Sequence, residues 1–256
     1  MMRAPCLCAI SAFLLVAVTP SVRADIDVAL IKESQNHYDA AREAMNNGAW
    51  QTGRNEMEIS VDKAEKGNMP AAGLSLLYYH FGSYLELTLE WNLAQQAFAK
   101  AVRNGELAHA SPQTMVNLYY EYGRTSGIIC QYDLAEHNLQ VAYELDNEQQ
   151  GPTATDIFEL ALMHKAAGKL QDSLAEFTHA KTLMDKSGVE KNSPAQYAEF
   201  LTAYADALQL SGQHSEAEAL RQRAAGLFGN TPNQNNTGLT PYGSQCGQLQ
   251  TGNAGK

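Results

Sequence analysis

Apolar positions along the chain recur at helical spacing, in paired runs separated by short breaks. Ile157, Leu160, Ala161 and His164 fall on one helical face. Gly168 and Lys169 interrupt the run, and Leu170, Leu174, Phe177 and Leu183 resume it. The same phrase is written more than once. Leu77–Gly82 reads LYYHFG and Leu118–Gly123 reads LYYEYG, 41 residues on. Trp91–Ala94 (WNLA) and Tyr132–Ala135 (YDLA) repeat at the same interval. Pro70, Pro112, Pro152 and Pro194 follow at steps of 42, 40 and 42, each before a helical pattern. Proline is tolerated there because the first turn leaves its missing N–H without an intrahelical partner. Ser193 and Gln196 have the spacing of a capping box. A fixed period of this length predicts stacked supersecondary units, here helical hairpins.

A second regularity concerns small residues. In the first helix of each unit the small position is Ala41, Gly82, Gly123, Ala161 and Ala205. In the second helix it is Gly53, Ala94, Ala135, Ser173 and Ala217, then Ser60, Ala101, Ala142, Ala180 and Ala224. Where antiparallel helices cross, a small side chain lets the backbones approach and a bulky neighbour fills the groove. The bulky positions include Tyr78, Phe81 and Phe98, then Tyr119, Tyr122 and Leu139, then Ile157, Leu160 and Phe177. With this pattern the chain resembles the tetratricopeptide repeat (TPR) family over residues 34–228. The steps of 41, 41, 38 and 44 are similar to the long repeats of kinesin light chains. The first and fifth units depart from the pattern, with His37, Ala40 and Ala44 in large-residue positions and Arg221 in a bulky apolar one. Such units suit the ends of a stack, whose outer faces meet water. The expected fold is all-α, a right-handed α-solenoid of about five helix-turn-helix hairpins.

The flanks differ in composition. Arg3, the apolar run 9–18 and Val22-Arg23-Ala24 read as a signal peptide over 1–24, cut before Asp25. The repeat domain then occupies 25–228, and the protein is expected to be exported, periplasmic or secreted. Residues 229–256 are rich in Asn, Gly, Gln and Thr and are expected to form a disordered polar tail. Removing Arg3 and Arg23 leaves 16 basic residues against 28 acidic ones, which argues against nucleic acid and anionic membranes as partners. Cys130 and Cys246 remain, either as a disulfide or as two separate thiols.

Candidate chemistry is sparse. The seven histidines form no HExxH or His-x-His pattern, and there is no GxSxG, P-loop or cysteine cluster. No cofactor, metal or catalytic residue is expected, so an enzyme is not the expected reading. His80 and His164 read as partly buried structural histidines. The TPR resemblance implies a concave face lined by the first helices that binds a protein or peptide segment. Carried over position by position, its aromatic ladder is Tyr38, Tyr79, Tyr120 and Phe158, ending at Thr202. Arg42, Arg124, Lys165 and Asp206 lie on the same face. The implied ligand is a peptide with apolar anchors and some acidic character. Two other classes stay open: a structural subunit of an envelope or secretion complex, and an enzyme with a site between hairpins.

Overall fold

The computed structural model describes residues 25–151, 153–228 and 239–246; the expected signal peptide lies outside them. Ten long helices form five antiparallel hairpins. They are α1 (Val28–Asn46) with α2 (Trp50–Lys66), α3 (Ala71–Leu87) with α4 (Trp91–Leu107), and α5 (Pro112–Ile128) with α6 (Tyr132–Glu148). Then come α7 (Thr153–Ala166) with α8 (Leu170–Lys186), a single turn α9 (Val189–Asn192), and α10 (Pro194–Leu210) with α11 (His214–Phe228). No described residue lies in a strand. Each second helix packs on its own first helix and on the first helix of the next hairpin, which makes one continuous α-solenoid. The first helices α5 and α7, and α7 and α10, also touch, whereas no two second helices pack comparably. The stack therefore curves with its first helices inside. Among the described residues, no helix is long and apolar enough to cross a membrane.

The turns carry the period as clearly as the helices. Gly48, Leu89, Cys130, Gly168 and Gly212 all have positive φ, and each sits in the turn inside its hairpin. Asn68, His109, Gln150 and Gly188 do the same between hairpins. A left-handed residue just past a helix closes it by satisfying the last carbonyls; Lys169 N–H, for example, reaches His164 C=O at 2.9 Å. The extra turn α9 occupies the longest repeat step. Ser111 caps α5 by accepting from Thr114 N–H at 3.2 Å. The expected capping box at Ser193 does not form: no side-chain bond caps α10, and Ser193 N–H, which Gln196 would accept in such a box, already donates to Val189 C=O at 2.8 Å.

All fifteen small positions are buried. Gly82 shows why. A Cβ there would lie 2.7 Å from the Phe98 ring, so the ring of α4 sits directly on the α3 backbone. Phe177 and Leu139 occupy the equivalent place in their hairpins and are fully buried. Serine suits such a position only when its hydroxyl is satisfied, and Ser173 donates to Ala161 C=O at 2.8 Å. The apolar core runs as one cluster through α1–α5 and a second through α7–α11, with a small cluster around Ala135, Leu139, Leu160 and Met163 between them.

Of the expected tail 229–256, only residues 239–246 are among the described residues, and these depart from the expectation. Residues 239–246 are ordered against the solenoid. Tyr242 packs against both the central and the C-terminal clusters, Gly243 N–H donates to Gly127 C=O at 3.2 Å and Gln245 N–H to Ile128 C=O at 3.1 Å. Cys130 and Cys246 form a disulfide with a Cα–Cα separation of 5.2 Å. A polar composition averages over the one aromatic anchor and the one cross-link that offset the entropy of ordering this stretch.

Candidate partner-binding face

The first helices present a repeated cleft. Between α3 and α5 a cleft of about 450 Å³ is lined by Ala72, Leu76 and Tyr79 on one side and Thr114 and Asn117 on the other. Between α7 and α10 a cleft of about 730 Å³ is lined by Gly151, Thr155 and Phe158, facing Gln196 and Glu199. These are the same repeat positions two hairpins apart. Leu76 is 56% exposed, an apolar side chain left open on a face that the period regenerates.

The aromatic ladder is present, and its rungs do more packing than the sequence suggests. Tyr38 is half-buried and meets His80 edge-on at 5.5 Å. Tyr79 packs edge-on against His80 and Phe98. Phe158 packs against Phe177 and Phe200, at 5.9 and 5.1 Å. Tyr79 and Phe158 are thus walls of the two clefts, anchored in the core behind them. Burial lowers the His80 pKa, and Arg42 nearby lowers it further.

The charged candidates are mostly engaged within the chain. Arg42 is exposed and lies over the Tyr38 ring, 6.0 Å from its centre. Arg124 bonds Glu121 on its own helix at 2.8 Å and pairs with Glu86 of α3. Burial pushes the Glu86 carboxyl up to about 7 against the pull of Arg124. Lys165 is half-buried; desolvation lowers its pKa, partly countered by Asp206. Asp206 pairs with Arg221 at 3.1 Å, which explains an arginine in a bulky position of the last hairpin. Arg124 is therefore held between Glu121 of its own helix and Glu86 of the preceding hairpin, a pairing that a single-repeat reading does not bring together.

Between these clefts, on α5 and α7, the face is filled by the chain itself. Glu159 of α7 is buried and accepts from the Tyr242 hydroxyl at 2.8 Å. Thr240 and Tyr120 also bond it, and Arg124 adds a favourable charge. Burial still raises the Glu159 pKa and is the largest influence on it. Tyr120, a predicted rung, is half-buried, and burial beside Glu159 raises its pKa. Gly127 makes room: a Cβ there would lie 2.5 Å from the Tyr242 ring. Glu86 and Lys165 stand at the equivalent positions of the flanking hairpins, so the repeat alignment marks Gly127 as the exception. Glu86, Glu121, Glu159, Leu76 and Tyr242 were not among the sequence-derived candidates.

Two further polar clusters lie off this face. His164 is buried between Glu176, at 2.8 Å, and Glu136, at 3.5 Å; burial opposes its charge, but the two carboxylates win and raise its pKa. Asp146 and Asp156 are buried against each other at the α6–α7 junction, and desolvation, then the Asp146 charge, pushes Asp156 up to about 7. No group of three or more candidate ligands fit for a metal ion occurs among the described residues.

No protein-family model matches the chain, and no curated protein matches it. Solved structures do match in fold. A Podosopora anserina kinesin-light-chain protein of nearly identical TPR-like repeats superposes with a TM-score of 0.65 at 16% identity, over 78% of this chain and 97% of that one. BtubC from P. vanneervenii gives 0.65 at 12% identity, over 82% and 96%. YrrB, a TPR protein with an unusual peptide-binding site, gives 0.53 at 16% identity, over 78% and 89%. The chain has the fold of the TPR-like solenoids.

Proposed function

We propose that this protein is an exported, non-catalytic scaffold that binds an apolar protein or peptide segment along the groove formed by its first helices. The observation that carries the reading is the repeated cleft, with Leu76 and Tyr79 in one copy and Thr155 and Phe158 in the other. A repeated cleft suits an extended ligand, because hairpins two apart offer equivalent pockets to separated parts of the same chain. Arg124 is neutralised by Glu86 and Glu121, so a neutral or basic segment fits better than an acidic one. The YrrB fold likeness supports such a use of the solenoid.

The test places a charge in each cleft at an exposed position, Leu76→Asp with Thr155→Asp. Partners captured from the native host by the parent protein should be lost with this variant at unchanged melting temperature. Equal recovery would overturn the reading. Export is tested separately by amino-terminal sequencing of protein from the native host, where Asp25 is expected as the first residue.

A further inference from the structure

The segment 239–246 lies on the first-helix face as a ligand would. Leu239 borders the α7–α10 cleft. Tyr242 then seats its ring on the Gly127 backbone and its hydroxyl on Glu159. Gly243 and Gln245 donate their main-chain N–H groups to the end of α5. Beyond the disulfide, these contacts use one tyrosine, one glycine and main-chain amides, so an incoming segment of the same kind would make them equally well. Gly243 has φ +75, and a Cβ there would fall 2.7 Å from the Tyr132 hydroxyl, so the residue after the tyrosine must be glycine.

We propose that the α5–α7 step is a binding subsite for a Tyr-Gly segment of a partner protein, closed in the oxidised chain by its own Tyr242 and opened by reduction of the Cys130–Cys246 disulfide. This deepens the groove reading and rests on it. Cys246 is exposed and Cys130 half-buried, so the thiolate of a dithiol attacks Cys246 Sγ and Cys130 leaves as the thiolate. The second thiol of the reagent then resolves the mixed disulfide, releasing Cys246 and leaving the dithiol oxidised. The freed segment stays attached and competes for its old place, so a partner gains most when Tyr242 is also displaced.

The probe is a fluorescein-labelled synthetic copy of residues 239–246 with serine in the last position, titrated into the full chain by anisotropy. Oxidised parent protein should not bind it. A Cys246→Ser, Tyr242→Ala variant should bind it saturably, and the reduced parent should bind it more weakly than that variant. A probe with alanine in place of the tyrosine should bind at least about tenfold more weakly. Absence of binding to the double variant, with its helical circular dichroism intact, overturns the proposal. So does equal binding by oxidised parent and double variant, or by the two probes. Dimers cross-linked between Cys130 of one copy and Cys246 of another would assign the subsite to a second copy and overturn the partner assignment. Leu76→Asp should leave the titration unchanged, so the general groove reading and this one fail separately.

Discussion

The Tyr242 hydroxyl donates to Glu159 at 2.8 Å across 83 residues of sequence. It joins a segment outside the repeats to the shortest repeat step, where the apolar core divides. Removing that hydroxyl leaves a buried carboxyl short of a donor, at a cost of about 1–3 kcal/mol. Tyr242→Phe should lower the melting temperature, and Tyr242→Ala should lower it further by emptying the ring site. Thermal denaturation followed at the helical band measures both.

Gly127→Ala tests the same contact from the helix side. The added methyl meets the Tyr242 ring at 2.5 Å, and the ring has to leave. Amide exchange should speed up across 239–246 while helix content holds. Unchanged protection of that segment would mean that Tyr242 is not seated there.

Ala135 is fully buried, at a crossing that Leu139 fills from the same helix. Ala135→Leu forces extra volume into it and should destabilise by roughly 1–3 kcal/mol. A chemical denaturation midpoint equal to that of the parent would contradict the repeat register.

The stability contributed by His164, Glu86 and Asp156 should fall as pH rises from about 4 to 8. His164, Glu86 and Asp156 all have folded-state pKa values above their ordinary ones. A raised pKa means that the folded state holds the proton more tightly. Each contribution is thus complete below the ordinary value and is lost as pH passes the folded one, near 7 for both carboxyls. Asp156→Asn keeps a hydrogen-bonding amide beside Asp146 and cannot ionise. It should raise the melting temperature more at pH 8 than at pH 5; a change of equal size at both would rule out a raised Asp156 pKa as the cause.

Leu89 holds a left-handed turn at φ 61 with its side chain 68% exposed, where Gly48 and Gly168 fill the equivalent turns. Relieving that backbone is worth about 1–2 kcal/mol, reduced by the entropy glycine loses on folding. Leu89→Gly should therefore stabilise by about 0.5 kcal/mol, read as a small rise in the denaturation midpoint.

Local regularities made the architecture legible. Small residues at Gly82, Gly123 and Ala161, and the bulky residues that cover them, recur at a fixed interval because every hairpin solves the same packing problem. The ladder of Tyr38, Tyr79, Tyr120 and Phe158 followed from that register. Its roles did not, since Tyr79 is held by Phe98 of its own hairpin, whereas Phe158 also meets Phe200 of the next one.

The sequence by itself determined five helical hairpins, their small-residue crossings and the face on which the first helices lie, because those features arise from positions that recur in every repeat. Only the tertiary structure decided that Arg124 is held by Glu86 of the preceding hairpin, that Cys130 pairs with Cys246, and that Tyr242 fills the α5–α7 step. These contacts break the period. They join residues whose positions in the chain carry no shared pattern, and their energy comes from burying one ring and satisfying one carboxyl at a place that exists only once the hairpins are stacked.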